Sequence, residues 1–458
     1  MTSTNNAPKA ATRKPPPGAI KAYVASLTGT SLEYYDFAIY SVASASCSPK
    51  IFFPGNDEFV ALLLSFSAFA VGYLARPIGG VIFGRLGDKI GRKYVLVFTL
   101  VLIGVATVLI GALPDYSVIG VAAPTILVLL RLAQGIGVGG EWGGGAVLLS
   151  SEFGDPPNKR GFWSSAAQIG PPAGNLMANG VLAILAASLS EEAFLSWGGW
   201  RVAFLASALL VVFGLIIRLK LEETPVFKAI QPTEIVPRLP SRKSSPPSKA
   251  LVAAALSRVC PDILYALFTV FVAVYATKEL GMTTGNVLSA ILIGSAFQLF
   301  LIPAAGALTD RFNRRWVYGI AAAATAAYIP LFFLMIQGKS VAMLTIGTVI
   351  GLALHAFMYG PQAAFITEQF PARLRYAGSS LAYTLAGVIG GAVAPIIFTA
   401  LYGAAGGGWY LIAVYILVAA VVTIVGMLLG RDPPSRKKMS VWCRGRTLSR
   451  RRSERWKP

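Results

Sequence analysis

The sequence predicts an all-α membrane protein in which twelve spanning helices form two pseudo-symmetric bundles of six. Three observations predict it. Apolar runs of about 20 residues, the length that crosses a hydrocarbon core, recur along the chain. Lysine and arginine collect in every second loop, as they do in cytoplasmic loops. The stretch GRLGDKIGRKYV at 84–95 has a counterpart in GALTDRFNRRWV at 306–317, each between a second and a third span, as expected of a duplicated transport bundle.

Composition supports the same reading. Of 458 residues, 55% are hydrophobic and 13% charged, where a soluble protein has about 25% charged; mean hydropathy is +0.64. The net charge of +20 lies in alternate loops and the C-terminal tail rather than on a soluble basic face, so no nucleic acid is expected as a partner. Cys47, Cys260 and Cys443 have neither disulfide-framework nor metal-ligand spacing. The single histidine, His355, excludes the two-histidine zinc motifs. No metal, no bound cofactor and no nucleophile–base set is expected, and therefore no enzyme.

In order, a polar, Pro-rich, basic leader (1–19) precedes spans near 20–45, 59–83, 94–113, 121–150, 161–187 and 200–220. A Pro/Ser-rich charged stretch (221–250) reads as a cytoplasmic linker. Spans follow near 251–277, 286–308, 316–336, 341–369, 376–402 and 409–429, then a basic tail from 431 to 458 that reads as solvated or lying on anionic headgroups. The units are thus 20–220 and 251–430, in the cytoplasmic (inner) membrane with both termini cytoplasmic. Frequent Gly, Ala and Ser suit close helix approach.

Glu33 and Asp36 in SLEYYDFAIY lie one turn apart on one face of the first span. Two neighbouring carboxyls in low dielectric resist double ionisation, and a carboxyl that takes a proton inside a bundle is how a carrier couples to protons. The alternative is that an arginine holds each as a structural pair. In the fourth span, Arg131 and Gln134 share a face among glycines. A charge there costs at least roughly 2.5–3.5 kcal/mol, and a guanidinium offers a carboxylate two donors; the carboxylate belongs to a substrate or to another helix. Arg258 and Asp262, four apart in the seventh span, read either as a local ion pair or as part of a cavity. His355 reads as a proton relay or as a hydrogen-bonded structural residue.

The loop holding Gly84, Asp88, Gly91 and Arg92, with Asp310 and Arg314 in its weaker copy, reads as a gate that ion pairs close on one face; the plainer reading is a basic loop that sets topology. Arg76, before Pro77, reads as snorkelling to the surface, and Glu368 as pairing with Arg373 or Arg375.

Together SLEYYDFAIYS, ARPIGGVIFGRLGDKIGRK, RLAQGIGVGGEWGGGAVLLSSE, LEETPVF and YGPQAAFITEQFPARLRYAGSSLAY resemble the metabolite:proton symporter branch of the major facilitator superfamily, most of all its shikimate and organic-acid carriers. The resemblance implies two six-helix bundles around a central site opened alternately to each side. It implies that Asp36, Glu33 and His355 serve proton coupling. It also implies that Arg131, Gln134, Glu141, Trp142, Tyr35, Arg258, Asp262 and Gln362 serve substrate binding. Tyr34 stands where the branch more often has Trp, and Phe312-Asn313 where it often has glycine; GPPAG at 170–174 partly resembles a motif of drug:proton antiporters.

The expected function is a proton-coupled symporter, monomeric in the lipid, that imports a small organic acid. Import of zwitterions such as proline or betaine, proton-coupled export, and a sensor that moves nothing are the alternatives.

Overall fold

A computed structural model describes residues 19–46, 48–55, 58–90, 92–141, 159–190, 193, 198–220, 247–371 and 374–431. Most of the leader, linker and tail therefore lie outside the described residues, as do Trp142, Gly91 and Arg373 and the side chains of Asp88 and Arg92.

The spans are α1 (Ala19–Ser46), α2 (Glu58–Leu74 continued by Arg76–Ile90), α3 (Arg92–Ala112), α4 (Ala122–Gly140), α5 (Ala166–Ser188) and α6 (Gly199–Leu219). In the second half they are α7 (Pro247–Leu256, Val259–Ala266 and Val272–Lys278), α8 (Thr284–Arg311), α9 (Arg314–Ile336), α10 (Val341–Gln369), α11 (Arg375–Gly387 and Ala394–Ala404) and α12 (Tyr410–Leu429). Ten of these are long and apolar enough to cross a membrane. The other two, α1 with Glu33 and Asp36 and α5 with Gln168 and Asn175, complete the twelve.

Prolines explain the interrupted helices. Pro77 lacks the N–H that the turn at Ala75 would need, and it disfavours helical backbone in the residue before it, so α2 breaks at Ala75. Similarly, α7 turns at Ser257–Arg258 ahead of Pro261, and α11 widens over Val388–Ala392 ahead of Pro395. A second widened turn, Leu267–Phe271, lies in α7. By contrast, α5 remains helical through Pro171 and Pro172.

Glycines set the closest helix contacts. Between α2 and α4, Gly135 meets the backbone of Gly72, Gly79 meets that of Ile136, and Gly139 meets that of Arg76. Gly174 of α5 rests on the backbone of α1 at Ser31 and Tyr34–Tyr35. Gly360 of α10 meets the Ile302 carbonyl of α8. Elsewhere aromatic side chains fill the space: Tyr35, Trp200 and Phe204 in the first half, Phe268, Phe332 and Phe333 in the second.

The two halves touch through α2 with α11, through α5 with α8, and through the short helix Arg160–Ser164 with α8 and α10. These contacts gather at the end that carries Arg85, Lys93, Arg160, Arg311 and Arg315, referred to below as the basic end. There Gly84 lies on Ala377, and the backbones of Gly161 and Gly306 meet.

Gly139→Val would force a side chain into the Arg76 carbonyl, so it is expected to destabilise the detergent-solubilised protein by about 1–3 kcal/mol and lower its thermal midpoint. Gly319→Val, where a Cβ meets nothing within 4 Å, should leave the midpoint near wild type. Equal effects of the two would refute the close-packing account of α2 and α4.

Candidate functional site

Apart from Arg314 at the basic end, the described residues bury four arginines, Arg76, Arg131, Arg218 and Arg258, and four carboxyls, Glu33, Asp36, Glu141 and Asp262, none more than a tenth exposed. Away from water, each charge must find a partner or be neutralised. Two pairs close directly. Arg218 of α6 bridges Glu141, which follows α4, and also donates to the Leu96 carbonyl. Arg258 Nε donates to Asp262 Oδ2 at 2.6 Å within α7, and its guanidinium lies over the Tyr383 ring.

The other two arginines make no direct ion pair with a carboxyl among the described residues. Arg131 is fully buried, and its Nη1 donates to Gln134 Oε1 at 2.6 Å. The Gln134 amide donates to the Thr107 hydroxyl at 2.5 Å, and that hydroxyl donates to Asp36 Oδ2 at 2.7 Å. The hydroxyl has one proton and two acceptors in reach, Asp36 Oδ2 and the Ile103 carbonyl at 2.9 Å, so the chain can serve Asp36 ionised, by donating to it, or protonated, by turning to Ile103. Arg131 also stacks on Tyr40, 3.4 Å from the ring centroid, a favourable contact for a desolvated cation. Its Nε and Nη2 have no hydrogen-bond partner, and neither do both oxygens of Glu33.

Arg76 corrects the sequence expectation. It does not snorkel: it is 4% exposed and lies between the Phe37 and Tyr73 rings, 4.2 and 3.8 Å from their centroids. The backbone contact with Gly139 fixes α2 against α4 at this residue, which holds the side chain deep. Arg76 is within electrostatic reach of Glu33 and Tyr34 in α1 and of Asp262 in the other half.

Around it runs a tyrosine-rich seam between the halves. Tyr73 abuts Gly391 of α11. Tyr34 is within hydrogen-bonding reach of Tyr359, and Tyr265 of Asn175. Gln168 of α5 donates to the Tyr359 carbonyl (2.8 Å) and to Gln362 Oε1 (3.2 Å), and Gln362 reaches the Tyr318 hydroxyl. Gln362 is thus part of a polar tie between the halves. His355 stacks on Tyr359 at 4.7 Å and takes the Gln298 amide on Nδ1 at 2.8 Å.

Tyr35, by contrast, points away from the seam: its hydroxyl donates to the Ala203 carbonyl of α6. Glu141 faces Arg218 within the first half rather than the seam. Glu368 pairs with Arg314, because the end of α10 lies beside the start of α9; the Arg373 expected as a partner lies outside the described residues. Asp310 accepts from the backbone N–H groups of Gly161 (2.7 Å) and Phe162 (3.0 Å), with Arg314 3.9 Å away. Asn313, in the place often held by glycine, caps α9 by accepting from the Arg315 N–H.

Sequence reading overlooked Thr107, Arg218 and Gln168, and placed Arg76 at the surface. An intramembrane arginine beside a proline was a usable signal for Arg76. For a threonine or glutamine no one-dimensional signal exists, since only the neighbouring helices supply its role.

Comparison with known proteins agrees with this architecture. Residues 21–251 match the family model for sugar (and other) transporters, and residues 254–449 that of the major facilitator superfamily. The inner membrane metabolite transport protein YhjE of Escherichia coli is 37% identical over 421 residues, covering 90% of this chain and 94% of that protein. The shikimate transporter of the same organism is 36% identical, covering 90% and 95%. The solved structure of the proton:xylose symporter XylE with 6-bromo-6-deoxy-D-glucose superposes with a TM-score of 0.71 at 16% identity, over 90% of this chain and 94% of that one. These families and relatives are transporters, not enzymes.

Removing one member of the Arg218–Glu141 pair leaves the other charge buried alone, so Arg218→Met is expected to destabilise the protein by about 3–5 kcal/mol. Adding Glu141→Leu should recover most of that loss. Thermal unfolding in detergent tests both, and a double variant no better than the single one would contradict the pairing.

Proposed function

This chain belongs to the major facilitator superfamily of multi-pass membrane transporters, and we propose on that premise that it carries a small organic anion together with protons into the cytoplasm. The charge count of the interior is the observation that supports this reading. With Arg218–Glu141 and Arg258–Asp262 closed as pairs, Arg76 and Arg131 remain against Glu33 and Asp36, near one another but not in direct contact. If both carboxyls are ionised, the interior is neutral. One proton makes it +1, and a bound monoanion returns it to neutral.

Coupling follows from the same arithmetic. The empty carrier and the carrier with proton and anion both bury no net charge, so both can reorient. A carrier holding only one of the two buries an uncompensated charge in low dielectric, which is costly. Asp36 is the proposed proton site, because protonating it removes the acceptor at the end of the Arg131–Gln134–Thr107 chain and leaves Arg131 without a counter-charge. Glu33, within electrostatic reach of Asp36, shares that role, and His355 serves as a relay in the second half.

With the basic end in the cytoplasm, as the placement of Lys and Arg supports, the contacts of Gly84, Gly161, Gly306 and Asp310 close that side. Opening it would require Asp310 to release the Gly161 and Phe162 N–H groups, so the weaker copy of the 84–93 loop works here as a latch.

Uptake into proteoliposomes tests the proposal. For one proton per negative charge, an inward gradient of one pH unit should support about tenfold accumulation, with the inside-alkaline sign required. A membrane potential alone, although it is worth about 2.3 kcal/mol per 100 mV per net charge, should drive little. Asp36→Asn is expected to abolish gradient-driven accumulation while retaining exchange of labelled for unlabelled substrate. Accumulation unchanged in Asp36→Asn, or confined to proline and betaine, would sink the reading.

A further inference from the structure

Resting on that proposed anion-transport reading, we infer that Arg76 is the carboxylate clamp and that the site takes a monocarboxylate whose ring-shaped or hydroxylated body lies against tyrosines. Arg76 Nε and Nη2 are both buried and have no hydrogen-bond partner. That edge of a guanidinium is the fork that meets both oxygens of one carboxylate. Phe37 and Tyr73 pack the plane of the group, and the α2–α4 backbone contact at Gly139 fixes its root. The fork is therefore held in place before any ligand arrives, which reduces the entropy lost on binding.

Location adds a separate argument. Arg76 acts on Tyr34 of α1 and on Asp262 of α7, and its neighbour Tyr73 touches Gly391 of α11. A group that reaches both halves at mid-depth borders the seam between them. The other three arginines are engaged elsewhere. Arg218 holds Glu141 and the Leu96 carbonyl. Arg258 holds Asp262. Arg131 has the same unpartnered Nε and Nη2, but it is enclosed within the first half, tied to Gln134 and stacked on Tyr40, away from the seam.

At the seam, one cation with an open fork selects one carboxylate. A second carboxylate on the ligand would meet Arg258, whose charge Asp262 already balances, and would bring in a charge that nothing offsets. Beside the fork, half-buried Tyr34, Tyr73 and Tyr265, with Asn175 next to Tyr265, offer ring faces and hydroxyl or amide groups. These suit a cyclic body or one bearing hydroxyls.

Equilibrium binding to the purified full-length chain tests this, with shikimate, 4-hydroxybenzoate, succinate, citrate, proline and betaine as probes. At least one of the two ring monocarboxylates should bind wild type, and its methyl ester should not. Arg76→Gln should weaken that binding by about 30-fold or more, and Arg76→Lys, a point charge without the fork, by less. Asp36→Asn, which fixes the interior at +1, should bind it at least as tightly as wild type. The ester comparison uses unaltered protein, so it tests the need for the carboxylate even if Arg76→Gln folds poorly, and Arg76→Lys, which keeps the charge, then tests the residue. Equal binding of acid and ester, or an unchanged Kd in Arg76→Gln, overturns the clamp. Binding confined to succinate, citrate, proline or betaine, or no binding of either monocarboxylate, overturns the substrate class. Gradient-driven accumulation that survives in Arg76→Gln also sinks the clamp while leaving proton coupling standing. Monocarboxylate binding that depends on Arg76, without accumulation by wild type, does the reverse.

Discussion

A charge at the centre of a bilayer has no water to face, and the organisation of this protein follows from that constraint. Apart from Arg314 at the basic end, eight arginine and carboxyl side chains lie buried in the described residues: Arg76, Arg131, Arg218, Arg258, Glu33, Asp36, Glu141 and Asp262. Half of them are neutralised by contact. The remainder are neutralised only collectively, through the Thr107–Gln134 chain and through proximity. A permanent ion pair gives no reason for an interior to change its proton content. A loosely balanced set does, because a single proton or a single ligand charge upsets it and the other restores it.

Backbone proximity makes such an interior possible. Long polar side chains can meet at mid-depth only if their helices approach closely, and the glycines of α2 and α4 allow carbonyls and Cα atoms to lie where side chains would otherwise stand. The same contacts fix the roots of Arg76 and Arg131. Packing and electrostatics are therefore one device here: the glycine seam brings two arginines of adjacent helices to the same depth, and their carboxyl partners in α1 lie alongside. On the far side of the seam, the interrupted helices α7 and α11 supply Arg258, Asp262 and Tyr383 where the regular helical ladder is already relaxed.

The contacts between halves divide into two kinds. At the basic end they are short and specific, with glycine on glycine and Asp310 on two backbone N–H groups. At mid-depth they are side-chain hydrogen bonds through Gln168, Gln362 and tyrosine hydroxyls, which exchange partners more readily than packed backbone separates. This gradient in stiffness suits bundles that rock about a site between them.

The amino-acid order alone was enough for the twelve spans, the duplication, the transporter character and the first-span carboxyls with Arg131 and Gln134, because hydropathy, loop charge and a charge placed inside an apolar run are one-dimensional signals. It was not enough for partnership. Glu141 and Arg218 are 77 residues apart, as are Thr107 and Asp36 by 71, and no periodicity links them. Tyr34 and Tyr35 are adjacent in sequence, yet a helix turns successive side chains by about 100°, so one faces the seam and the other α6. Arg76 looked like a surface residue because its depth depends on how α2 sits against α4. Which charges exist at the centre was legible in the chain; which of them cancel, and which stay open to a proton or a carboxylate, depends on the distances between helices, and only their packing decides those.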